Sequence, residues 1–166
     1  CIRGATQSGI QVLDTNVTLE HCVLTGNNTT NGNLGGAITV SPQGAGAMGT
    51  VALRDCQILK NSASDYGGGI RVAVSDASIR LERCWIIDNR AGSHGGGIHA
   101  DVRPRGSMVL RDTVVARNVG GDSGASGGNY VGGGCAFVGG VDAERCFVSA
   151  NYVRSVNNGC FGASDS

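Results

Sequence analysis

The sequence predicts an all-β protein: a right-handed, single-stranded parallel β-helix of about six coils, in one segment spanning residues 1–166. Three observations lead there. Two short signatures alternate along the chain, the runs between them are β-branched and bounded by glycine, and equivalent charged residues in successive repeats alternate in sign.

The first signature is an aliphatic-x-x-Cys-x-aliphatic-x-x-Asn block. It reads LEHCVLTGN at 19–27, LRDCQILKN at 53–61 and LERCWIIDN at 81–89, then LRDTVVARN at 110–118 and AERCFVSAN at 143–151. The second is a glycine turn entering a strand: GGAITV at 35–40, GGGIRV at 67–72, GGGIHA at 95–100 and GGGCAF at 132–137. Weaker copies start at Ser8 and at Asn158, and Cys1 falls where a further cysteine block belongs. Cysteine-site spacings of 21, 34, 28, 29 and 33 are what loops of varying length on a regular scaffold produce.

Helical repeats need 10–15 residues of 3.6-residue periodicity, and none occurs. The segments alternate instead, with Ile70 and Val72 inward and Arg71 outward, and with Leu81, Cys84 and Ile86 inward. One repeat therefore makes one coil, and strand spacing of about 4.8 Å gives a rod roughly 30 Å long.

Stacked coils bring equivalent residues side by side. Two positions before the cysteine site stand Glu20, Arg54, Glu82, Arg111 and Glu144; one position before it stand His21, Asp55, Arg83, Asp112 and Arg145. A third column reads Lys60, Asp88, Arg117. Solvation alone does not predict alternation in adjacent columns, so the charges are read as ladders fixing register. Asn27, Asn61, Asn89, Asn118 and Asn151 form an inward amide ladder on the same logic.

Seven cysteines, no CxxC pair and three sequons together favour an oxidising, extracellular or cell-surface setting. The sequons start at Asn16, Asn27 and Asn28. Cys135 and Cys160 replace the Ile of the glycine signature in consecutive coils and are the first disulfide candidates. Cys22 and Cys56 are the next, with small buried thiols as the other reading of the cysteine column.

Net charge is zero, which disfavours nucleic acid as a partner, and no apolar run reaches the ~20 residues that span a membrane. No cofactor motif or metal cluster stands out. The glycine runs precede strands and lack a Walker-type lysine, so they are turn glycines.

The GGAI at 35–38, its GGGI relatives and the aliphatic-x-x-Asn blocks resemble the repeats of the chlamydial polymorphic outer membrane proteins, which pair a GGAI-type motif with Phe-x-x-Asn. Here Leu, Ile or Val stands in place of that Phe, and no translocator barrel follows. The resemblance implies a surface-displayed, adhesin-like autotransporter passenger, with glycans or a host-surface protein as partners.

The sequence alone expects a structural rod for display, adhesion or fibril building. The alternative is a polysaccharide-active enzyme of the pectate-lyase-like type, or a glycan-binding module. Such enzymes need clustered carboxylates, whereas the ladders interleave carboxylates with Arg. The remaining catalytic candidates are Arg71, His99 and Asp101, followed by Arg103, with a solvated strand face as the plainer reading. Ile2, Val23, Gln57, Trp85, Val114 and Phe147 form an outward apolar column. Either loops such as 28–34 and 119–131 cover it, or it is a protein interface anchored by Trp85 and Phe147. Cys1 begins inside a coil and Ser166 stops just after a glycine-turn strand. The expectation is an uncapped segment of a longer chain, or end-to-end stacking of copies.

Overall fold

A computed structural model describes residues 1–13, 15–30, 34–41, 50–73, 77–102, 106–121 and 132–153. The described residues contain strands and no helix, and every strand pairing is parallel. No described helix is long and apolar enough to cross a membrane.

Each coil visits four sheets in turn. Face 1 holds Val17–Glu20, Thr50–Arg54, Ser78–Glu82, Ser107–Arg111 and Val141–Glu144. Face 2 holds Ile2–Arg3, Val23–Thr25, Gln57–Leu59, Trp85–Ile87, Val114–Ala116 and Phe147–Ser149. Face 3 is built from the two-residue strands Asn28–Thr29, Ser62–Ala63, Arg90–Ala91, Val119–Gly120 and Tyr152–Val153. Face 4 holds Ile10–Val12, Ile38–Val40, Ile70–Val72, Ile98–Asp101 and Cys135–Val138. One sheet has six strands and the others five, so the described coils fall just short of the expected six. The last glycine copy, with Cys160, lies outside the described residues.

The repeat alignment is the stacking register. Leu19, Leu53, Leu81, Leu110 and Ala143 line one inward column, and Leu24, Ile58, Ile86, Val115 and Val148 another. Ile38, Ile70 and Ile98 stack on face 4 with no exposure. Each such fully buried aliphatic contributes about 1.5–3 kcal/mol of transfer free energy, and the core is one continuous column of them.

The first coil departs from the expected register. Ile2 pairs with Leu24 and Arg3 with Thr25, one position away from the alignment that put Cys1 in the cysteine column. Ile2 is consequently an inward residue and leaves the apolar outward column. The backbone explains the shift: Gly4 and Gly26 both have positive φ (70° and 63°) and occupy the same corner. Later coils place Lys60, Asp88, Arg117 and Ala150 at that corner, and His21, Asp55, Arg83, Asp112 and Arg145 at the preceding one, all with φ of 49–58°. A non-glycine residue there is strained by roughly 1 kcal/mol or more, which the surrounding stack must hold in place.

The asparagines fill the next corner. Asn61 Nδ2 donates to Asn89 Oδ1 (3.0 Å) and to the Leu24 carbonyl (3.0 Å), and the Asn61 backbone N–H donates to the same Asn89 Oδ1 (3.0 Å). Asn89 repeats the pattern onto Asn118 (3.0 Å) and Ile58 (2.9 Å), and Asn118 onto Asn151 (2.9 Å) and Ile86 (2.9 Å). Inside the stack every amide hydrogen of these side chains has a partner.

This geometry corrects the sequon reading at Asn27. Its side chain is fully buried, with Nδ2 donating to Asn61 Oδ1 (2.9 Å) and the Ile2 carbonyl (3.3 Å), so a glycan there would displace the ladder. Asn16 and Asn28 are exposed.

The disulfide expectation is also corrected. All six cysteines among the described residues, Cys22, Cys56 and Cys135 included, are free thiols. In-register side chains run parallel, and the thiols of Cys22, Cys56, Cys84 and Cys146 turn onto main-chain carbonyls instead. Cys56 Sγ donates to Arg54 O (3.2 Å) and Leu19 O (3.4 Å), and Cys84 Sγ to Glu82 O (3.2 Å) and Leu53 O (3.5 Å). Thr113 does the same through its hydroxyl, to Arg111 O (2.9 Å) and Leu81 O (3.4 Å), which is why Thr substitutes for Cys in this column.

Candidate functional site

Two surfaces gather side chains outside the core and the ladders. The first is the outer side of face 4. Arg71 and His99 are direct neighbours on adjacent coils, as their shared place after the glycine turn predicts. Asp101 lies two residues on, at 8% exposure.

This side is not a solvated strand face. Thr39 and Ala136 in the same outward column are buried at 0% and 4% exposure. Two residues that the sequence reading passed over make the difference, Tyr66 and His94, each immediately before the glycine turn of its coil. They form an isolated parallel bridge and stack with ring centroids 5.3 Å apart and planes 8° apart. Tyr66 also lies 4.9 Å from the His99 ring, and the Arg71 guanidinium sits 4.4 Å from the Tyr66 centroid, within cation–π range.

Burial sets the electrostatics here. It pushes the His99 imidazole down to about 4, helped by the Arg71 charge beside it, so His99 is neutral at physiological pH. Burial lowers His94 and Arg71 as well. His99 Nδ1 is shut off from solvent and has no hydrogen-bond partner among the described residues. A neutral imidazole, a guanidinium and a phenol ring suit stacking and hydrogen bonding to a polyol. Of the sequence candidates, Arg71 and His99 are neighbours and Asp101 follows His99 two residues along the same strand, while Arg103 lies outside the described residues.

The second surface is the outer side of face 2. Val23, Gln57, Trp85, Val114 and Phe147 are in register, and the adjoining outward column is Thr25, Leu59, Ile87, Ala116 and Ser149. Trp85 is 49% and Phe147 61% exposed, so no described residue covers these two anchors. The proposed covering segment 119–131 lies outside the described residues beyond Gly121.

The charge columns border this strip. Arg83 makes a two-pronged pair with Asp55 (2.7 and 2.8 Å), Arg145 with Asp112 (2.6 and 2.9 Å), and Arg117 with Asp88 (2.9 and 3.0 Å). These arginines hold the three carboxyls below the ordinary carboxylate range. On face 1, Arg54 bridges Glu20 (3.3 Å) and Glu82 (3.2 Å), and Arg111 pairs with Glu144 (3.0 Å). Among the described residues no cluster of three metal-ligating side chains is present.

Compared with protein-family models, with curated proteins and with solved structures, the chain shows no match.

Proposed function

We propose that this chain is a rigid structural segment of an extracellular or surface-displayed protein, a rod that spaces or presents an adhesive surface. The observation that carries the reading is the use made of charge. The carboxylates of faces 1 and 2 alternate with arginines from coil to coil, and their pairs lock register rather than gather at one point. The amide ladder and the thiol column serve the same end inside. Exposed sequons at Asn16 and Asn28 suit an extracellular rod that carries glycans.

The test is surface labelling of intact source cells with a membrane-impermeant reagent, followed by mass spectrometry of the Asn16 and Asn28 peptides. Labelling before lysis and glycan mass on either asparagine are expected. Labelling only after lysis, with both asparagines bare, would overturn the reading.

A second reading rests on the Tyr66–His94 stack beside Arg71 and His99, which suits a glycan-binding patch or the site of a polysaccharide-active enzyme. A polysaccharide bound or depolymerised by the protein, and no longer so in His99→Ala, would favour it over the rod.

A further inference from the structure

We propose that face 2 is a pairing surface for a second copy of this chain, laid against it in parallel about a two-fold axis that runs along the solenoid. The inference is independent of where the protein resides.

The argument is charge complementarity across each coil. After the first coil, each strand of face 2 is entered by the corner residue before the cysteine site and left by the corner residue before the asparagine. In three consecutive coils these two flanks carry opposite charge: Asp55 and Lys60, Arg83 and Asp88, Asp112 and Arg117. A two-fold axis along the rod exchanges left and right at the same height. It therefore sets Asp55 against Lys60 of the second copy, Arg83 against Asp88 and Asp112 against Arg117, and the reverse on the other side. All six are exposed or half-buried corner residues with positive φ at the two edges of the strip.

The apolar strip between the flanks fits the same operation. Exchange of left and right places the bulky column on the smaller one: Phe147 on Ser149, Val114 on Ala116, Trp85 on Ile87. An antiparallel copy centred between the Trp85 and Val114 coils would also match charges along the ladder. It would set Trp85 against Val114 and Phe147 against Gln57, large upon large. The parallel arrangement satisfies both charge and shape. Neither exposed sequon is in the way, since Asn28 is on face 3 and Asn16 precedes a face 1 strand.

The strip measures roughly 24 Å along the rod by 16 Å across it, from five strands at about 4.8 Å and five residues at about 3.3 Å. That is below the usual footprint of a tight complex, so the pairing is a weak, concentration-dependent one.

Sedimentation equilibrium of the whole chain from about 10 µM to 1 mM measures it, alongside fluorescence of Trp85, the only tryptophan. A monomer–dimer equilibrium is expected, with emission moving to the blue as dimer forms. Trp85→Lys, at an exposed position, should leave the circular dichroism unchanged and weaken association at least ~10-fold. Zero-length carbodiimide coupling of mixed light and 15N-labelled protein fixes the orientation. Lys60 is the only lysine, and its interchain product should be to Asp55. A monomer throughout the range overturns the proposal, as does association undiminished by Trp85→Lys, or interchain coupling of Lys60 to some other carboxylate. A monomer whose Trp85 emission responds only to added polysaccharide overturns it in favour of a glycan surface.

Discussion

Replacing Asn89 by alanine removes one rung from the middle of the amide ladder, and the structure sets the cost. Asn89 Oδ1 is the acceptor for both the backbone N–H and the Nδ2 of Asn61, each at 3.0 Å, and its own Nδ2 serves the Ile58 carbonyl at 2.9 Å. Asn61 and Asn89 are at 1% and 0% exposure, so water does not replace the lost partners. Two buried donors are orphaned at about 1–3 kcal/mol each, and a void the size of the lost amide remains. The expected loss is about 4 kcal/mol. The same substitution at Asn27 is the control, because Asn27 Oδ1 accepts only from the half-buried Ala5 N–H at 3.1 Å. It should cost about 1–2 kcal/mol. Urea unfolding followed by far-ultraviolet circular dichroism measures both, with the slope checked for constancy. Equal losses at the two positions, or a loss under ~1 kcal/mol at Asn89, would refute the ladder as a closed hydrogen-bond network.

Other predictions follow from neighbouring features. A Cβ at Gly96 would lie 2.4 Å from Gly133 O and from Val119 C and O, so Gly96→Ala should abolish folding or cost several kcal/mol, read by expression in soluble form and by thermal melting. Stability should fall by about 2 kcal/mol between pH 7 and pH 5, because unfolded His99 takes up its proton near 6.5 and the folded residue only near 4. The unfolded state binds more protons in that window, so acid destabilises, levelling off below about pH 4, and most of the slope should vanish in His99→Phe. Cys84, whose thiol burial pushes up to about 11, should resist iodoacetamide in the folded protein and react on unfolding, whereas exposed Cys1 should react at once; protection of Cys1 with ready alkylation of Cys84 would contradict the coil assignment.

Much of this architecture is legible in the sequence because stacking converts a repeat into a register. Once the Cys and Asn positions are superposed, Glu20, Arg54, Glu82 and Arg111 must be neighbours, and they are. The first coil misleads because Cys1 is the more conspicuous marker. Gly4 is the right anchor, since it shares with Gly26 a corner whose positive φ favours glycine. Later coils hide that corner by filling it with Lys60, Asp88 and Arg117. The pairing of Arg71 with His99 follows from their common distance to the glycine turn. Tyr66 and His94 escape notice because they fall between the two repeat signatures, one residue before each glycine turn, and counting backward from Gly67 and Gly95 is the signal that finds them. Free thiols rather than disulfides reflect side-chain direction: parallel strands bring the cysteines near, yet the thiols turn to carbonyls instead of to each other.

The central claim is that successive repeats stack in register, each locked to the next by the asparagine amides. At 16.8 kDa the chain is within easy reach of solution NMR, and the most direct measurement is the set of nuclear Overhauser contacts made by the asparagine side chains. The stacking predicts an unbroken series of contacts, in which the amides of Asn27 meet Asn61, Asn61 meets Asn89, Asn89 meets Asn118 and Asn118 meets Asn151, with side-chain protons slow to exchange. Asparagine side chains that exchange at solvent rates and show no contact between repeats would contradict it.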